Sequence, residues 1–321
     1  MALRSEFNKF NKRIVSSHTG KNIIQGSKNI YLPGFNGFSM YDVAPVLFKQ
    51  LRKTGLVERA SGISFNIVMA IPPILIFSFT LIPLLPISKQ FIEQLFSLIR
   101  DFIPGEENNK AIISFLQDFL ARPRNELLSF GLVLAIYFSS NALMGILRAF
   151  DKNYPGFSKR KGWQKRMVAL QLTVILFLLF FVFLSLLIAQ GKVLNWLGLE
   201  NPILISFISY LRWFLIVLLL FYVVSFIFRH GPSIAKKWPY VTPGAILSTS
   251  MIIVSTFLVS YWVNNFGNYN KLYGSISAIF ILMSLIYVIA TAILMGFELN
   301  VTLSLLRQKK AEAEALTDLK S

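Results

Sequence analysis

Six long apolar stretches, at residues 61–86, 127–147, 168–190, 208–228, 243–264 and 273–303, alternate with polar connections along the chain. Crossing a hydrocarbon core about 30 Å thick takes roughly 20 apolar residues in a helix, and each stretch meets that length. None shows the two-residue alternation of a barrel strand, and a spanning backbone must satisfy its own hydrogen bonds. The pattern predicts an all-α polytopic membrane protein with about six transmembrane helices. Shorter patterns fill two of the connections. In "YDVAPVLFKQLRKTGLVERA", Val46, Leu47, Leu51 and Leu56 recur near helical spacing with Lys49, Arg52 and Lys53 between them. This predicts an amphipathic helix on the inner membrane surface, or simply a basic flank of the first span. In the connection 87–126, "KQFIEQLFSLIRDFI" and "KAIISFLQDFLA" flank the breaker "PGEENN". Two short amphipathic helices are expected there on the outer face, against the bundle, on the outer leaflet, or over a cavity.

Composition agrees with the pattern. The 321 residues are 55% hydrophobic and only 15% charged, against about a quarter charged in soluble domains. Mean hydropathy is +0.59. The net charge of +17 would suggest nucleic acid in a soluble chain, but here its distribution decides. About 24 Lys and Arg fall in residues 1–60, 148–167, 229–242 and 304–321, against about 7 in the alternate connections. Both termini are therefore expected in the cytoplasm, which an even number of spans also requires. The organisation expected is a flexible basic arm over 1–40, a membrane domain over 41–306 and a charged tail over 307–321. "MALRSEFNKFNKRIV" has no apolar signal core, so the first span is expected to act as an uncleaved insertion signal. The chain has no cysteine, which excludes disulfides, thiolate nucleophiles and thiolate metal sites.

Several positions interrupt the apolar pattern. Pro72 and Pro73 in "AIPPILIF" predict a kink or break in the first span, a feature that lines cavities in transporters and elsewhere is only structural. The loop "RAFDKNYPGFSKRKGWQKR" mixes basic residues with Phe150, Tyr154, Phe157 and Trp163. Such a mixture grips RNA in some proteins, but at a cytoplasmic membrane border it points to anionic lipid and interfacial aromatics. Polar groups within spans are costly and usually face a bundle interior. They include Asn66, Ser139, Ser140, Asn141, Gln171, Arg212 and Glu298. Glu298 lies about 13 Å above Arg307 along a helix, which places it in the inner leaflet zone. Its expected partners are the basic residues at neighbouring span ends, Arg59 and Arg148.

The C-terminal third carries a resemblance. "YVTPGAILSTSMIIVSTFLVSYWVNNFGNYNKLYGSISAIFILMSLIYVIATAILMGFELN" resembles the BrkB/YihY family of bacterial inner-membrane proteins, often labelled ribonuclease BN-like. Pro243 with Gly244 matches the opening of that family's fifth span, and Tyr273, Gly274 and Ser275 the opening of its sixth. Gly296, Glu298, Leu299 and Asn300 match the close of the sixth. The similarity extends over roughly residues 41–306. Phe297 stands where the family generally has a small residue.

The ribonuclease label implies a hydrolytic chemistry that the residues do not supply. Metal-dependent cleavage of a phosphodiester needs clustered carboxylates or histidines. The chain has two histidines, His18 in the arm and His230 at a span end, and no paired acidic motif on the cytoplasmic side. No metal, cofactor or enzymatic activity is expected, and nucleic acid is disfavoured as a partner. The resemblance implies instead a role in the envelope, with lipid traffic in view. The expectation is a transporter or translocator of a lipid or other amphipathic envelope molecule; the rival is a scaffold that recruits envelope proteins. Glu298, Asn300 and Arg148 are expected to form an inner polar site supported by Asn141, with Arg59 as an alternative cation, and Pro72, Pro73, Pro243, Gly244, Tyr273 and Gly274 are the expected kink and helix-contact positions. Expected partners are membrane lipids, anionic ones at the cytoplasmic face, and a second copy or another envelope protein.

Overall fold

In the computed structural model the backbone is described for residues 34–35, 37–81, 113–114, 125–151, 154, 156–158, 160–196, 202–234, 237–265 and 276–318. Side chains at 79, 125, 127, 182–196, 202–213, 263–265 and 276–278 fall outside the description. So do most of the arm, the two outward amphipathic helices, Tyr273, Gly274 and the side chain of Arg212. Among the described residues the chain is all-helical, with seven named helices. They are α1 (Met40–Lys53), α2 (Leu56–Leu81), α3 (Asn125–Phe150), α4 (Gly162–Trp196), α5 (Pro202–His230), α6 (Pro243–Asn265) and α7 (Ile276–Asp318). Five of them, α2, α3, α4, α6 and α7, are long and apolar enough to cross a membrane, and α5 carries an apolar stretch over Phe214–His230.

Local chemistry sets the boundaries. Ser39 and Asp42 form a capping box at the start of α1, the Ser39 hydroxyl accepting from Asp42 N and the Asp42 carboxylate from Ser39 N. Gly55, at φ +65°, makes the left-handed turn between α1 and α2. The stretch 41–60 therefore forms two helices, not one amphipathic segment, and Arg59 belongs to the first turn of the first span. α1 lays Val43 against Leu299 and Leu303 of α7, with Phe35 filling the same cluster, while Phe48 stays 63% exposed. The expected surface helix is thus fixed to the bundle by one face.

α2 runs through Pro72 and Pro73 without a break. Proline's fixed φ is already helical, but the two prolines remove the donors that would meet the carbonyls of Val68 and Met69, and their rings crowd those carbonyls. Among the described residues, α2 packs more extensively on α3 than any other two helices pack on each other. Around Gly131 the approach is close enough that a Cβ would sit 3.4 Å from the Phe77 backbone. That packing carries the helix past the prolines.

The six long helices turn large apolar side chains outward: Phe65, Phe130, Leu178, Phe214, Phe257 and Phe280, one from each of α2 to α7, are more than half exposed. That surface suits lipid, not water. Inward, Ile63, Leu147, Phe150, Phe228, Ile252 and Leu294 share one core. At the basic end the connections between α3 and α4 and between α5 and α6 are tied together. Ser158 N donates to Ser233 O at 2.8 Å, and Arg160 Nη1 donates to Gly231 O at 2.7 Å. Burial pushes the Arg160 guanidinium down from its usual range.

Candidate functional site

The segment Gly296–Asn300 of α7 organises the site because successive helical residues point about 100° apart. Adjacent positions therefore meet different neighbours, while Gly296 and Asn300, four residues apart, share the α6 side. Gly296 faces α6, where a Cβ would lie 2.0 Å from Ser248 Oγ and 2.2 Å from Gly244 O. Gly244 returns the constraint, since its own Cβ would lie 2.0 Å from Gly296 O. Only glycine at both positions permits this approach.

Phe297 is fully buried and forms the hub of an aromatic cluster. It stacks on Phe150 with ring centroids 4.0 Å apart and meets Tyr154, Phe157, Phe228 and Trp238 at 5.7 to 6.4 Å. The aromatic residues of the basic loop are therefore not all interfacial: Phe150 and Tyr154 belong to the interior, and Trp163, at 75% exposure, lies at the surface. A fully buried Phe297 offers these rings more apolar contact than the membrane border would.

Glu298, completely buried, points toward α2 and the α3–α4 connection. One carboxylate oxygen, Oε1, accepts from Arg59 Nη1 in a short ion pair and from the Tyr154 hydroxyl at 2.6 Å. The other, Oε2, has no hydrogen-bond partner among the described residues, nor do Nε and Nη2 of Arg59. Burial, with the nearby Glu298 charge adding to it, pushes the Tyr154 phenol well above its ordinary value, so it remains a donor. A buried, paired charge with unspent bonding capacity is costly to keep and marks the candidate site.

Leu299 packs toward α1, and Asn300 returns to the α6 face. Asn300 Oδ1 accepts from Gly244 N at 2.9 Å, and its Nδ2 donates to Thr242 Oγ1 at 3.0 Å. Pro243 occupies the first position of α6, where its missing N–H costs nothing, and Thr242 caps the helix by accepting from Ala245 N at 3.1 Å.

The expected polar site thus separates into three. Arg59 joins Glu298, whereas Asn300, two residues on, lies on nearly the opposite face and serves the start of α6. Arg148 is exposed and makes no ion pair with Glu298. α3 turns Leu147 and Phe150 into the core, which carries the intervening Arg148 out of it. Asn141 accepts from Arg166 Nη1 at 2.5 Å, beside the Tyr137 ring that the same arginine covers. That contact binds α3 to α4 and is separate from Glu298. Tyr154 is a part of the site not expected from the sequence; Gly244 is among the expected helix-contact positions, and the structure supplies its partner, Gly296. Tyr154 lies 144 residues from Glu298 in sequence, and only the "NYPG" turn hinted that its loop folds back. Pro72 is exposed and Pro73 buried, both apart from these contacts.

Comparison with known proteins agrees with this architecture. The profile of the family described as Virulence factor BrkB matches residues 47–318. A ribonuclease-like protein, YfkH, of Bacillus subtilis is 28% identical over 252 residues, covering 77% of this chain and 89% of that one. A UPF0761 membrane protein of Stenotrophomonas maltophilia is 23% identical over 271 residues, and the chain spans only 59% of its length. Another, of Tolumonas auensis, is 23% identical over 248 residues and 79% covered. No solved structure matches. The chain belongs to the Virulence factor BrkB family and is a multi-pass protein of the bacterial inner membrane.

Proposed function

We propose that this chain moves an amphipathic envelope molecule, a lipid foremost, across or within the inner membrane, and that the Arg59–Glu298–Tyr154 cluster is the polar element controlling the path. The observation that carries this reading is the buried ion pair whose Glu298 Oε2 and Arg59 Nε and Nη2 have no hydrogen-bond partner among the described residues. Ionisable groups within a membrane bundle typically mark substrate or ion pathways. A pair that already holds one bond and keeps others unspent is suited to exchanging partners as a path opens. Separating Glu298 from Arg59 would present a cation and an anion to the two ends of a polar head.

The alternative is a scaffold that recruits envelope proteins through the basic face, in which case the pair only locks α7 to α2. A ribonuclease role, which the name of the Bacillus subtilis relative suggests for that protein, has little chemistry to support it here. Among the described residues no three His, Asp or Glu side chains gather. The carboxylate of Glu298 is already engaged with Arg59 and Tyr154.

The test is movement of labelled phospholipid across liposomes carrying the purified full chain, with rates taken per folded protein. Glu298→Gln keeps an acceptor for Arg59 and Tyr154 but removes the charge. Tyr154→Phe removes one donor and leaves the ion pair. Accelerated movement that both variants slow sharply supports the proposal. Rates equal to empty liposomes in the wild type, or unchanged in both variants, sink it and favour the scaffold.

A further inference from the structure

On the α6 side of α7, opposite Glu298, a cavity of about 240 Å³ opens at the basic end of the bundle. That is far larger than the roughly 10–15 Å³ one water needs, and just below the roughly 300–1,000 Å³ of pockets for drug-sized ligands. It has room for a small head group. One side of the lining is apolar, from Trp238, Pro239, Val241 and Leu303. The other carries Thr242, Asn300, Ser304 and Arg307, and no carboxylate is among the described lining residues.

The bonding around the polar side narrows the ligand chemistry. Asn300 Oδ1 accepts from Gly244 N and one Nδ2 hydrogen goes to Thr242 Oγ1, which fixes the amide in the wall and leaves its second N–H as a further donor. Ser304 Oγ accepts from Trp238 Nε1 at 3.2 Å and gives its proton to Asn300 O at 2.9 Å. Thr242 Oγ1 accepts twice, from Ala245 N and Asn300 Nδ2, which leaves its own proton to donate. Arg307 Nη2 donates to Gly34 O at 3.2 Å, which fixes its guanidinium at the rim. The positive end of the α6 dipole also lies here, its first amides already satisfied by Asn300 and Thr242, so it contributes field and no bare donor. A guanidinium, a buried hydroxyl donor and a positive helix end beside an apolar wall select an anion attached to an apolar body.

We propose that this cavity binds the phosphate head of an anionic amphiphile on the cytoplasmic side. The proposal deepens the transport reading and rests on it for the role of the site; binding itself is independent of transport. Lipid head and free phosphate share the chemistry, and the test separates them.

The full chain is placed in phosphatidylcholine nanodiscs and titrated with fluorescent short-chain phosphatidylglycerol, with inorganic phosphate and short-chain phosphatidylcholine as competitors. Arg307→Gln removes the charge. Val241→Trp narrows the mouth at a position 65% exposed, where the fold tolerates bulk. Saturable binding that Arg307→Gln weakens about tenfold or more, the scale of one charge-assisted hydrogen bond, and that Val241→Trp blocks, is expected. Competition by inorganic phosphate identifies the free anion as sufficient; its failure to compete identifies the lipid as the source. Absent binding, or equal binding by wild type and both variants while all elute as folded protein, overturns the proposal. Glu298→Gln should retain binding whatever it does to transport. Loss of this site with transport intact, or the reverse, thus tells the two readings apart.

Discussion

Replacing Gly296 with alanine should force α6 and α7 apart. The added Cβ would meet Ser248 Oγ at 2.0 Å and the Gly244 carbonyl oxygen at 2.2 Å, whereas ordinary contact begins near 3.4 Å. Ser248 can swing aside only by giving up its hydrogen bond to Ala292 O, 2.9 Å long, at about 1 kcal/mol. The Gly244 carbonyl is backbone and moves only with its helix, so an opening of about 1 Å or more is required, and overpacking of this kind costs about 1–3 kcal/mol. The hydrogen bond from Gly244 N to Asn300 stretches as well. Together these give a loss of about 2–4 kcal/mol. The measurement is equilibrium unfolding of the detergent-solubilised protein by denaturant, with fluorescence size-exclusion after heating as a second readout. Gly62→Ala is the control, because a Cβ there meets nothing within 4 Å and alanine favours a helix. If Gly296→Ala unfolds at the same denaturant concentration as the wild type, the close crossing of α6 and α7 does not hold this bundle together.

Two further outcomes follow from the buried cluster. Arg59→Met and Glu298→Leu should each cost about 3–5 kcal/mol by stranding the partner's charge, while the double variant should recover most of that loss in a double-mutant cycle of unfolding free energies; strict additivity would contradict the pairing. Tyr154 has a folded pKa raised by burial and by Glu298 above its unfolded value near 10. Its contribution to stability is therefore fully present below about pH 10 and is lost as pH rises beyond it, because only the unfolded chain releases that proton. Tyr154→Phe should flatten the alkaline arm of the stability profile, and an identical profile in the variant would show that Tyr154 ionises as freely in the fold as outside it.

Much of the fold could be read along the chain because lipid as solvent imposes a local rule. Each spanning segment must be long, apolar and helical on its own account, so each hydrophobic run marks a helix, with ends closest at α3 and α6 and several residues off elsewhere. The largest departure is at the end of α7, which continues through a charged segment to Asp318, 15 residues past the end of the apolar run at 303; others have local causes that the apolar pattern does not express. Gly55 ends α1 and starts α2 five residues before the apolar run does. Pro72 and Pro73 lie inside one continuous helix, α2, which packs along α3, so the break that they could have made is absent there. The candidate site was legible only in part: an acidic residue inside a span is conspicuous by its desolvation cost, and Arg59 was among the cations at hand.

By itself, then, the sequence determined the solvent, the approximate course of the helices, and the presence of Glu298 as a costly charge. Tertiary structure alone decided which neighbour each residue of Gly296–Asn300 meets. Rotation by 100° per residue sends adjacent positions to different helices, so Glu298 joins Arg59 and Tyr154 while Asn300 caps α6. It also decided that Phe150 and Tyr154 turn inward onto Phe297 and that Arg148 turns out. Those choices depend on distances between segments up to 239 residues apart, which no local pattern encodes.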